Sequence, residues 1–328
     1  MAVPYSQGRH KGNEAHYTGL ILLIAVLLFP TILPEKIGWL TSFVPLPIFY
    51  YLVVLGKRDG TILIRNAILL SAVGALLIGS MPVLIFSFAM TPLGIAFSHA
   101  VFNKKEPVAT GFIGFLFLVF AWLLFWSGLG MIHQTNPYTT LLVELDEGLS
   151  NGLILYEESA DLAPETMESV RSAVELLRNY IPKVLPAILV SAILTITWLN
   201  LVLGNWLLKK KDKDLTAWPD YIEWTLPEPL VWLVIMAGVS VFLLPEPMST
   251  IGLNILIVCI TVYFFQGLAI VASLLNKWSV PMLIRVLIYA LIFIQTYGII
   301  ILSFLGLADV WADFRKLNQA DENPNATV

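Results

Sequence analysis

Residues 249–275 have the sequence STIGLNILIVCITVYFFQGLAIVASLL, a run of 27 residues without a charged side chain. A helix needs about 20 predominantly apolar residues to cross the hydrocarbon core of a bilayer. An uncharged run of this length is typical of a transmembrane helix and exceeds what the core of a soluble domain requires. The stretch therefore places the chain in a lipid bilayer.

The composition extends this prediction to the whole chain. Of the 328 residues 58% are hydrophobic and 13% are charged, whereas about a quarter of the residues of a soluble domain are charged. Further apolar stretches lie at about 17–33, 37–56, 61–80, 82–103, 108–132, 183–207, 229–244 and 281–308. We therefore expect an all-α, polytopic transmembrane helix bundle of eight or nine spans, with the lipid bilayer as its first partner.

A long polar segment, residues 133–181, separates the fifth and sixth predicted spans and contains nine acidic residues against two arginines. Apolar residues repeat at helical spacing on both sides of Pro164, which predicts an acidic hairpin of two amphipathic helices. We expect its charges to form a solvated face, with cation binding as the alternative. The chain then divides into a five-span bundle (1–132), the acidic insertion (133–181), a four-span bundle (182–316) and a polar tail (317–328).

Basic residues cluster in alternate loops, and short cytoplasmic loops are the ones that keep lysine and arginine. The clusters contain Arg9, Lys11, Lys57, Arg58, Lys104, Lys105, Lys209 to Lys211 and Lys277. This pattern predicts a bacterial cytoplasmic membrane protein with a cytoplasmic N-terminus and an extracytoplasmic acidic hairpin. Nine spans would place Arg315 and Lys316 outside, against the rule, so either the last segment is exceptional or an early proline-rich span is re-entrant.

Several other residues fit the membrane–water interface. Arg65 and Arg285 begin spans, where long cationic side chains reach lipid phosphates. His99 lies near a helix end, and Trp218 and Trp224 belong to a link whose aromatic rings are expected at headgroup level. These five residues are therefore interpreted first as interfacial anchors.

Catalytic motifs are missing from the sequence. There is no glycine-rich phosphate loop, no Gly-x-Ser-x-Gly elbow and no His-Glu-x-x-His helix. The four histidines are dispersed and Cys259 is the single cysteine, which argues against a metal site, a cofactor or an internal disulfide. With a net charge of −4 and no basic stripe, nucleic acid is not expected as a partner. We do not expect an enzyme, and an integral membrane enzyme is the third hypothesis, because only Asp309 and Asp313 offer acid or base groups and they lie at a membrane edge.

Polar residues inside apolar spans are functional candidates because burying them in a membrane is costly. The candidate ligand-binding residues are Pro45, Pro47, Asn254, Gln266, Arg285, Tyr289, Asp309, Asp313 and Arg315. Pro45 and Pro47 are expected to break the second span and to form one wall of a pocket. The opposite wall is expected on the helices that carry Asn254, Gln266 and Arg285. Interhelical hydrogen bonding is the alternative interpretation of the two amides.

The last predicted span carries two further polar features. Arg285, Tyr289, Thr296 and Ser303 lie in one stripe if the span is a single helix, and such a stripe predicts either a ligand path or interhelical hydrogen bonds. Asp309 and Asp313 are four residues apart, so they share a helical face where they could hold a cation or a proton. The alternative for this acidic pair is a polar helix end beside a tryptophan anchor.

Small residues recur every four positions in the third predicted span, at Ala67, Ser71, Ala75 and Gly79. Small side chains at this spacing allow two helix backbones to approach closely. The ladder predicts either packing inside the chain or docking of another membrane protein or a second copy.

The motifs Pro45-Leu46-Pro47, Tyr263-Phe264-Phe265-Gln266-Gly267 and Leu305-Gly306-Leu307-Ala308-Asp309-Val310-Trp311-Ala312-Asp313-Phe314-Arg315 resemble those of the YybS-like predicted membrane proteins, domain-of-unknown-function family 2232. The resemblance covers nearly the whole chain and is strongest over residues 229–316. That family is considered distantly similar to the substrate-binding S components of energy-coupling-factor transporters. S components dock through small residues spaced by four on their first helix, and the nearest such set here is in the third span.

Two functions are therefore expected. The resemblance implies an S-component-like bundle that binds or moves a small solute or a lipid-like ligand. The alternative is a non-transporting scaffold that docks a partner through the third-span ladder or the acidic outer hairpin.

Overall fold

The chain is all-helical in a computed structural model that describes residues 6–79, 81–159, 164–212, 215 and 218–315, without the side chains of residues 6–15, 159, 164 and 296. The first six helices are α1 (Ser6–Ile32), α2 (Pro34–Ile37), α3 (Pro45–Ile78), α4 (Met81–Ala89), α5 (Thr91–Phe102) and α6 (Pro107–His133). The next six are α7 (Pro137–Ser159), α8 (Pro164–Lys211), α9 (Leu230–Leu243), α10 (Met248–Lys277), α11 (Met282–Ile294) and α12 (Thr296–Ala312). Short 3₁₀ segments span Gly38–Phe43 and Tyr221–Glu223.

The N-terminal bundle is organised by a sharp bend inside α3. Gly56 has φ +80° and ψ 168°, a conformation that glycine tolerates because it has no Cβ. The chain folds back so closely that a Cβ on Gly60 would lie 2.9 Å from the Cα of Leu52. The half after the bend, residues 57–78, is called α3b below. α3 packs on α1 and α5, and α5 packs on α6.

The C-terminal bundle is built on three parallel helices. Trp198 of α8 stacks on Phe265 of α10 with ring centroids 4.5 Å apart, and Ser303 of α12 donates to the Ile260 carbonyl of α10 at 2.8 Å. α9 runs antiparallel to α10 and joins it through a short turn, where Ser240 donates to the Met248 carbonyl at 2.9 Å. α8, α10 and α12 therefore point in one direction.

The expected eight or nine spans are not confirmed. Among the described residues, five helical segments are long and apolar enough to cross a membrane: Pro34–Ile78, Met81–Phe102, Pro107–His133, Glu165–Lys211 and Met248–Lys277. α11 and α12 form a sixth if they count together, although they meet at 105°. His16–Ile32 and Leu230–Leu243 are shorter apolar helices. Three differences account for the lower count. The second and third stretches join through the bend at Gly56 and count as one segment, the first and seventh form the two shorter helices, and the last is bent.

The acidic insertion is helical, but its second helix does not end at the predicted boundary. α7 runs antiparallel to the start of α8, with ion pairs between Arg171 and Glu157 at 2.8 Å and between Arg178 and Asp146 at 2.7 Å. α8 then continues for 48 residues through Pro182 and Pro186. The predicted boundary at 181/182 therefore lies within a helix. The predicted tail, 317–328, lies outside the described residues.

Candidate functional site

A cavity of about 550 Å³ lies between α3b and α5. α3b contributes residues 57, 61, 64, 65, 68 and 69, α5 contributes residues 91, 95, 98, 99 and 102, and Leu52 of the first half of α3 completes the lining. Both sets recur every three to four positions, so each helix presents one continuous face to the cavity. Ligand pockets commonly have volumes of about 300–1,000 Å³, so the cavity can accommodate a small molecule or part of a larger one. We call this cavity the α3b–α5 groove.

The α3b–α5 groove has a polar end and an apolar end. Lys57 Nζ lies 5.1 Å from the centroid of the Phe102 ring, which shows that the start of α3b adjoins the end of α5 and that the two helices run antiparallel. Lys57 and His99 line the groove towards this end, and Arg65 lines it about 12 Å further along α3b. Further along, the walls are apolar and include Ile68.

One polar group lies towards the apolar end. Thr91 is 8% exposed, and its hydroxyl is buried without a hydrogen-bond partner among the described residues. Buried hydroxyl groups are normally hydrogen-bonded. Thr91 also lines the groove, so this unpartnered hydroxyl belongs to a residue of the groove wall.

The sequence did not predict this groove. Arg65 and His99 were interpreted as interfacial anchors and Lys57 as a loop charge, since each resembles a residue at a span end. The sequence pattern that could have indicated the groove is the spacing of Lys57, Thr61 and Arg65, which places them on one helical face. Pairing that face with α5 requires the tertiary structure.

The predicted candidates Gln266, Asp309 and Arg315 do come together, in a separate buried polar cluster. Arg315 Nη2 lies 2.8 Å from Asp309 Oδ2, and the two side chains are 1% and 4% exposed. Gln266 Nε2 donates to the same carboxylate oxygen at 3.0 Å, and the Phe314 N–H donates to Oδ1 at 3.0 Å. The Asp309 carboxylate is therefore satisfied entirely by protein groups.

The same cluster forms hydrogen bonds with the backbone of the link between α8 and α9. Arg315 Nη1 donates to the carbonyls of Ile222 and Trp224, each at 2.8 Å, and the Leu226 N–H donates to Gln266 Oε1 at 3.1 Å. Non-helical backbone is tolerated in membrane proteins where protein groups satisfy it. The geometry therefore favours a structural role for this cluster over ligand binding.

The tryptophans of this link are buried and do not lie at an exposed interface. Trp218 is 4% exposed and Trp224 is 9% exposed. Trp218 Nε1 donates to the Lys105 carbonyl at 2.6 Å, and its ring stacks on Phe49 with centroids 6.0 Å apart. The rings of these two residues therefore pack against protein, and their predicted position at headgroup level stays a prediction.

Asn254 of α10 forms hydrogen bonds with the backbone of α8 near Pro182 and Pro186. Its Oδ1 accepts from the Ala187 N–H at 2.9 Å, and its Nδ2 donates to the Lys183 carbonyl at 2.7 Å. A regular α-helix would pair those two backbone groups with each other. Pro186 has no N–H to offer the Pro182 carbonyl, which accepts from the Tyr138 hydroxyl at 3.1 Å. The contacts of Asn254 agree with the interhelical hydrogen-bonding interpretation.

Arg285 belongs to α11, and its side chain contacts the C-terminal end of α10. Its guanidinium donates to the Leu275 carbonyl at 3.2 Å, the Val280 carbonyl at 2.7 Å and Asn276 Oδ1 at 3.0 Å. Tyr289 is half-buried and packs beside Phe264 and Phe265 of α10. Asn254, Gln266 and Arg285 thus lie at three separate places along α10, and the described structure does not bring them together in one pocket.

The predicted polar track on the last span is not one stripe. α11 ends at Ile294 and α12 begins at Thr296, so the bend of 105° between them separates Arg285 and Tyr289 from Ser303. The side chain of Thr296 lies outside the described residues. The break was not predicted because neither Gln295 nor its two neighbours is a proline or a glycine, the residues that commonly mark the end of a helix.

Asp313 does not share a helical face with Asp309. α12 ends at Ala312, and Asp313 has φ +42° with its N–H donating to the Asp309 carbonyl at 3.0 Å. The left-handed residue turns the chain so that Arg315 reaches back to the Asp309 carboxylate. The described residues contain no group of three or more histidine, cysteine, aspartate or glutamate side chains placed to hold a metal ion.

Pro45 and Pro47 begin a helix and do not break one. Both lie in the first turn of α3 and are buried. Proline is favoured at the start of a helix, where the missing N–H has no intrahelical acceptor. The second predicted span is nevertheless divided here, with the 3₁₀ segment Gly38–Phe43 before the prolines and α3 after them.

The small-residue ladder of the third predicted span is mostly internal. Ala67, Ser71 and Ala75 are each 0% exposed. Gly79 is exposed and ends α3 with φ +78°, its N–H donating to the Ala75 carbonyl at 2.9 Å. These positions favour packing within the chain over docking of a partner through the ladder.

Comparisons with known proteins give one match. The sequence profile of a protein family described as Predicted membrane protein (DUF2232) matches residues 19–310. No curated protein and no solved structure matches the chain. Because the profile covers most of the sequence, this multi-pass membrane protein belongs to the DUF2232 family, as its C-terminal motifs indicated.

Proposed function

We propose that this protein binds a lipid-like molecule in the α3b–α5 groove. The observation that carries the proposal is the cavity of about 550 Å³, along which the basic residues Lys57, His99 and Arg65 are followed by apolar side chains at Ile68 and Leu69. A lipid-like molecule has the same division into a polar head and an apolar body.

The groove opens to the exposed surface of the helices, which favours a ligand that enters from the bilayer. Leu69 and Ile95 both line the groove, and they are 58% and 48% exposed on the molecular surface. Large exposed apolar side chains on a membrane helix face lipid tails. A lipid can therefore enter sideways without crossing water.

The proposed placement is a bacterial cytoplasmic membrane with the Lys57 end of the groove on the cytoplasmic side. Lys57 and Arg58 lie at the bend between the halves of α3, and Lys104 and Lys105 follow α5. Short cytoplasmic loops retain such positive charge. The polar end of the groove would then lie at the depth of the inner-leaflet headgroups.

The test is photolabelling of the purified protein in vesicles that contain a lipid with a photoreactive tail. Peptides from α3b and α5 should be labelled, and Thr61→Trp should greatly reduce that labelling because its ring fills the groove. Thr61 is exposed and lines the cavity, so the substitution leaves the core intact.

Ile62→Trp is the matched control, because Ile62 is 36% exposed, neighbours Thr61 on α3b and lies outside the groove lining. It should leave the labelling of α5 at the wild-type level. Equal labelling of α5 in wild-type protein and in Thr61→Trp would overturn the proposal.

A further inference from the structure

The polar end of the α3b–α5 groove is cationic. Lys57, Arg65 and His99 line it, and none of the groove-lining residues is acidic. Five ion pairs link described residues, and neither Lys57 nor Arg65 takes part in them. The positive charge of these two side chains is therefore available to an anionic group.

The helical register places these three residues around one region. Phe102 lies opposite Lys57, and the helices rise about 1.5 Å per residue. His99 then lies at a level between Lys57 and Arg65, whose backbones are about 12 Å apart. Because lysine and arginine side chains are long and flexible, both can reach an anion bound beside His99.

The unpartnered hydroxyl of Thr91 supplies a second, uncharged recognition group. Thr91 lies opposite a position one helical turn beyond Arg65, towards the apolar end of the groove. Its buried hydroxyl can donate to a carbonyl oxygen. An ester-linked phospholipid carries an anionic phosphate and, closer to its tails, ester carbonyls, in the same order along the molecule.

From this arrangement, and resting on the proposed function above, we infer that the ligand is an anionic, ester-linked phospholipid. Lys57, Arg65 and His99 bind its phosphate headgroup, and Thr91 donates to an ester carbonyl. Its acyl chains follow the apolar walls towards Leu69 and Ile95.

The charge part of the inference is tested with two photoreactive phospholipids that differ only in the headgroup, phosphatidylglycerol and phosphatidylcholine, each diluted in neutral carrier vesicles. Phosphatidylglycerol should label the groove more strongly in wild-type protein. A basic residue near an anionic membrane surface contributes a factor of about five, so Lys57→Gln with Arg65→Gln should weaken this labelling roughly tenfold to thirtyfold.

The matched control is Arg58→Gln with Lys104→Gln. Both residues are exposed and basic and stand outside the groove lining. Arg58 is the neighbour of Lys57 at the bend of α3, and Lys104 follows α5. This double variant has the same net charge and should label like the wild type. An equal loss in the two double variants would overturn the inference, because general surface charge would then explain the preference.

The Thr91 part is tested with Thr91→Val, which removes the hydroxyl and keeps the branched shape. Labelling by the ester-linked lipid should fall severalfold, whereas labelling by an ether-linked analogue, which has no carbonyl, should be the same as in the wild type. An equal effect of Thr91→Val on both lipids would overturn this assignment.

The remaining outcomes separate the two proposals. Equal groove labelling by the two headgroups would overturn the anionic ligand and leave lipid binding supported. No groove labelling by either lipid would overturn the proposed function itself. Displacement of bound phosphatidylglycerol by millimolar inorganic phosphate would overturn the lipid as the source and assign the site to free phosphate.

Discussion

Asp309 and Arg315 form an ion pair of 2.8 Å that is almost fully shielded, with side chains 4% and 1% exposed. The two residues are six positions apart in sequence, and the left-handed turn at Asp313 brings them together. Through Arg315 the pair also holds the carbonyls of Ile222 and Trp224. The end of α12 is thereby fixed to the link between α8 and α9.

Arg315→Ala should strongly destabilise the protein. It leaves the Asp309 carboxylate buried without its charged partner, and breaking a buried ion pair in this way costs about 3–5 kcal/mol. Thermal unfolding in detergent, followed by tryptophan fluorescence, measures the effect. Arg171→Ala is the control, because its pair with Glu157 is exposed at 55% and 37% and exposed pairs contribute about 0–1 kcal/mol. Similar losses in the two variants would contradict a structural role for the buried cluster.

Gln266→Leu should also destabilise the protein, by about 1–3 kcal/mol, because the Leu226 N–H loses its acceptor and Asp309 loses one donor. In the α3b–α5 groove, lipid labelling should be unchanged, since Gln266 is not among the lining residues. Loss of groove labelling in a variant that is otherwise folded would contradict the separation of the two sites.

The sequence predicted these cluster residues for a physical reason. Few charged or amide groups occur in the apolar stretches, and each must find partners, so Gln266, Asp309 and Arg315 stood out. Their mutual contacts depend on a turn at Asp313 and on a link from another part of the chain, which hydropathy and periodicity do not encode. Lys57 and Thr91 were missed because a lysine in a loop and a threonine in an apolar helix are ordinary until α3b and α5 are placed side by side.

Asn254→Leu should weaken the packing of α8 on α10. The substitution leaves the Ala187 N–H and the Lys183 carbonyl without the bonds that the amide provides, at a cost of about 1–3 kcal/mol. Protease susceptibility of α8 and the midpoint of thermal unfolding should both report the loss. The same change at Asn151, exposed on α7, should have little effect. Equal stability of the two leucine variants would show that the Asn254 contacts contribute nothing measurable.

Gly267→Ala and Gly306→Ala should each disrupt the contact between α10 and α12. A Cβ at Gly267 would overlap the Leu302 carbonyl oxygen, and one at Gly306 would overlap the Tyr263 carbonyl oxygen. Because backbone atoms block both positions, the helices must move apart, and we expect poor yield of folded protein on gel filtration. Gly238→Ala in α9 meets nothing within 4 Å and should be tolerated or slightly stabilising, since alanine favours helix by up to about 1 kcal/mol. Normal folding of the two α10–α12 variants would contradict this close approach.

The parallel arrangement of α10 and α12 predicts the side of the membrane on which the chain ends. Ile260 pairs with Ser303, and Gln266 pairs with Asp309, so both helices approach the same surface at their C-terminal ends. We therefore expect α11 and α12 to form a re-entrant pair, and the buried pairing of Arg315 to remove it from the charges that orient loops. Such an arrangement would agree with the positive-inside rule, unlike nine full spans. Reporter tags fused after Val328 and inserted at residue 150 should report opposite sides, the first cytoplasmic and the second extracytoplasmic. A tag at residue 277 should agree with the C-terminal one, and opposite results at those two positions would refute the re-entrant arrangement.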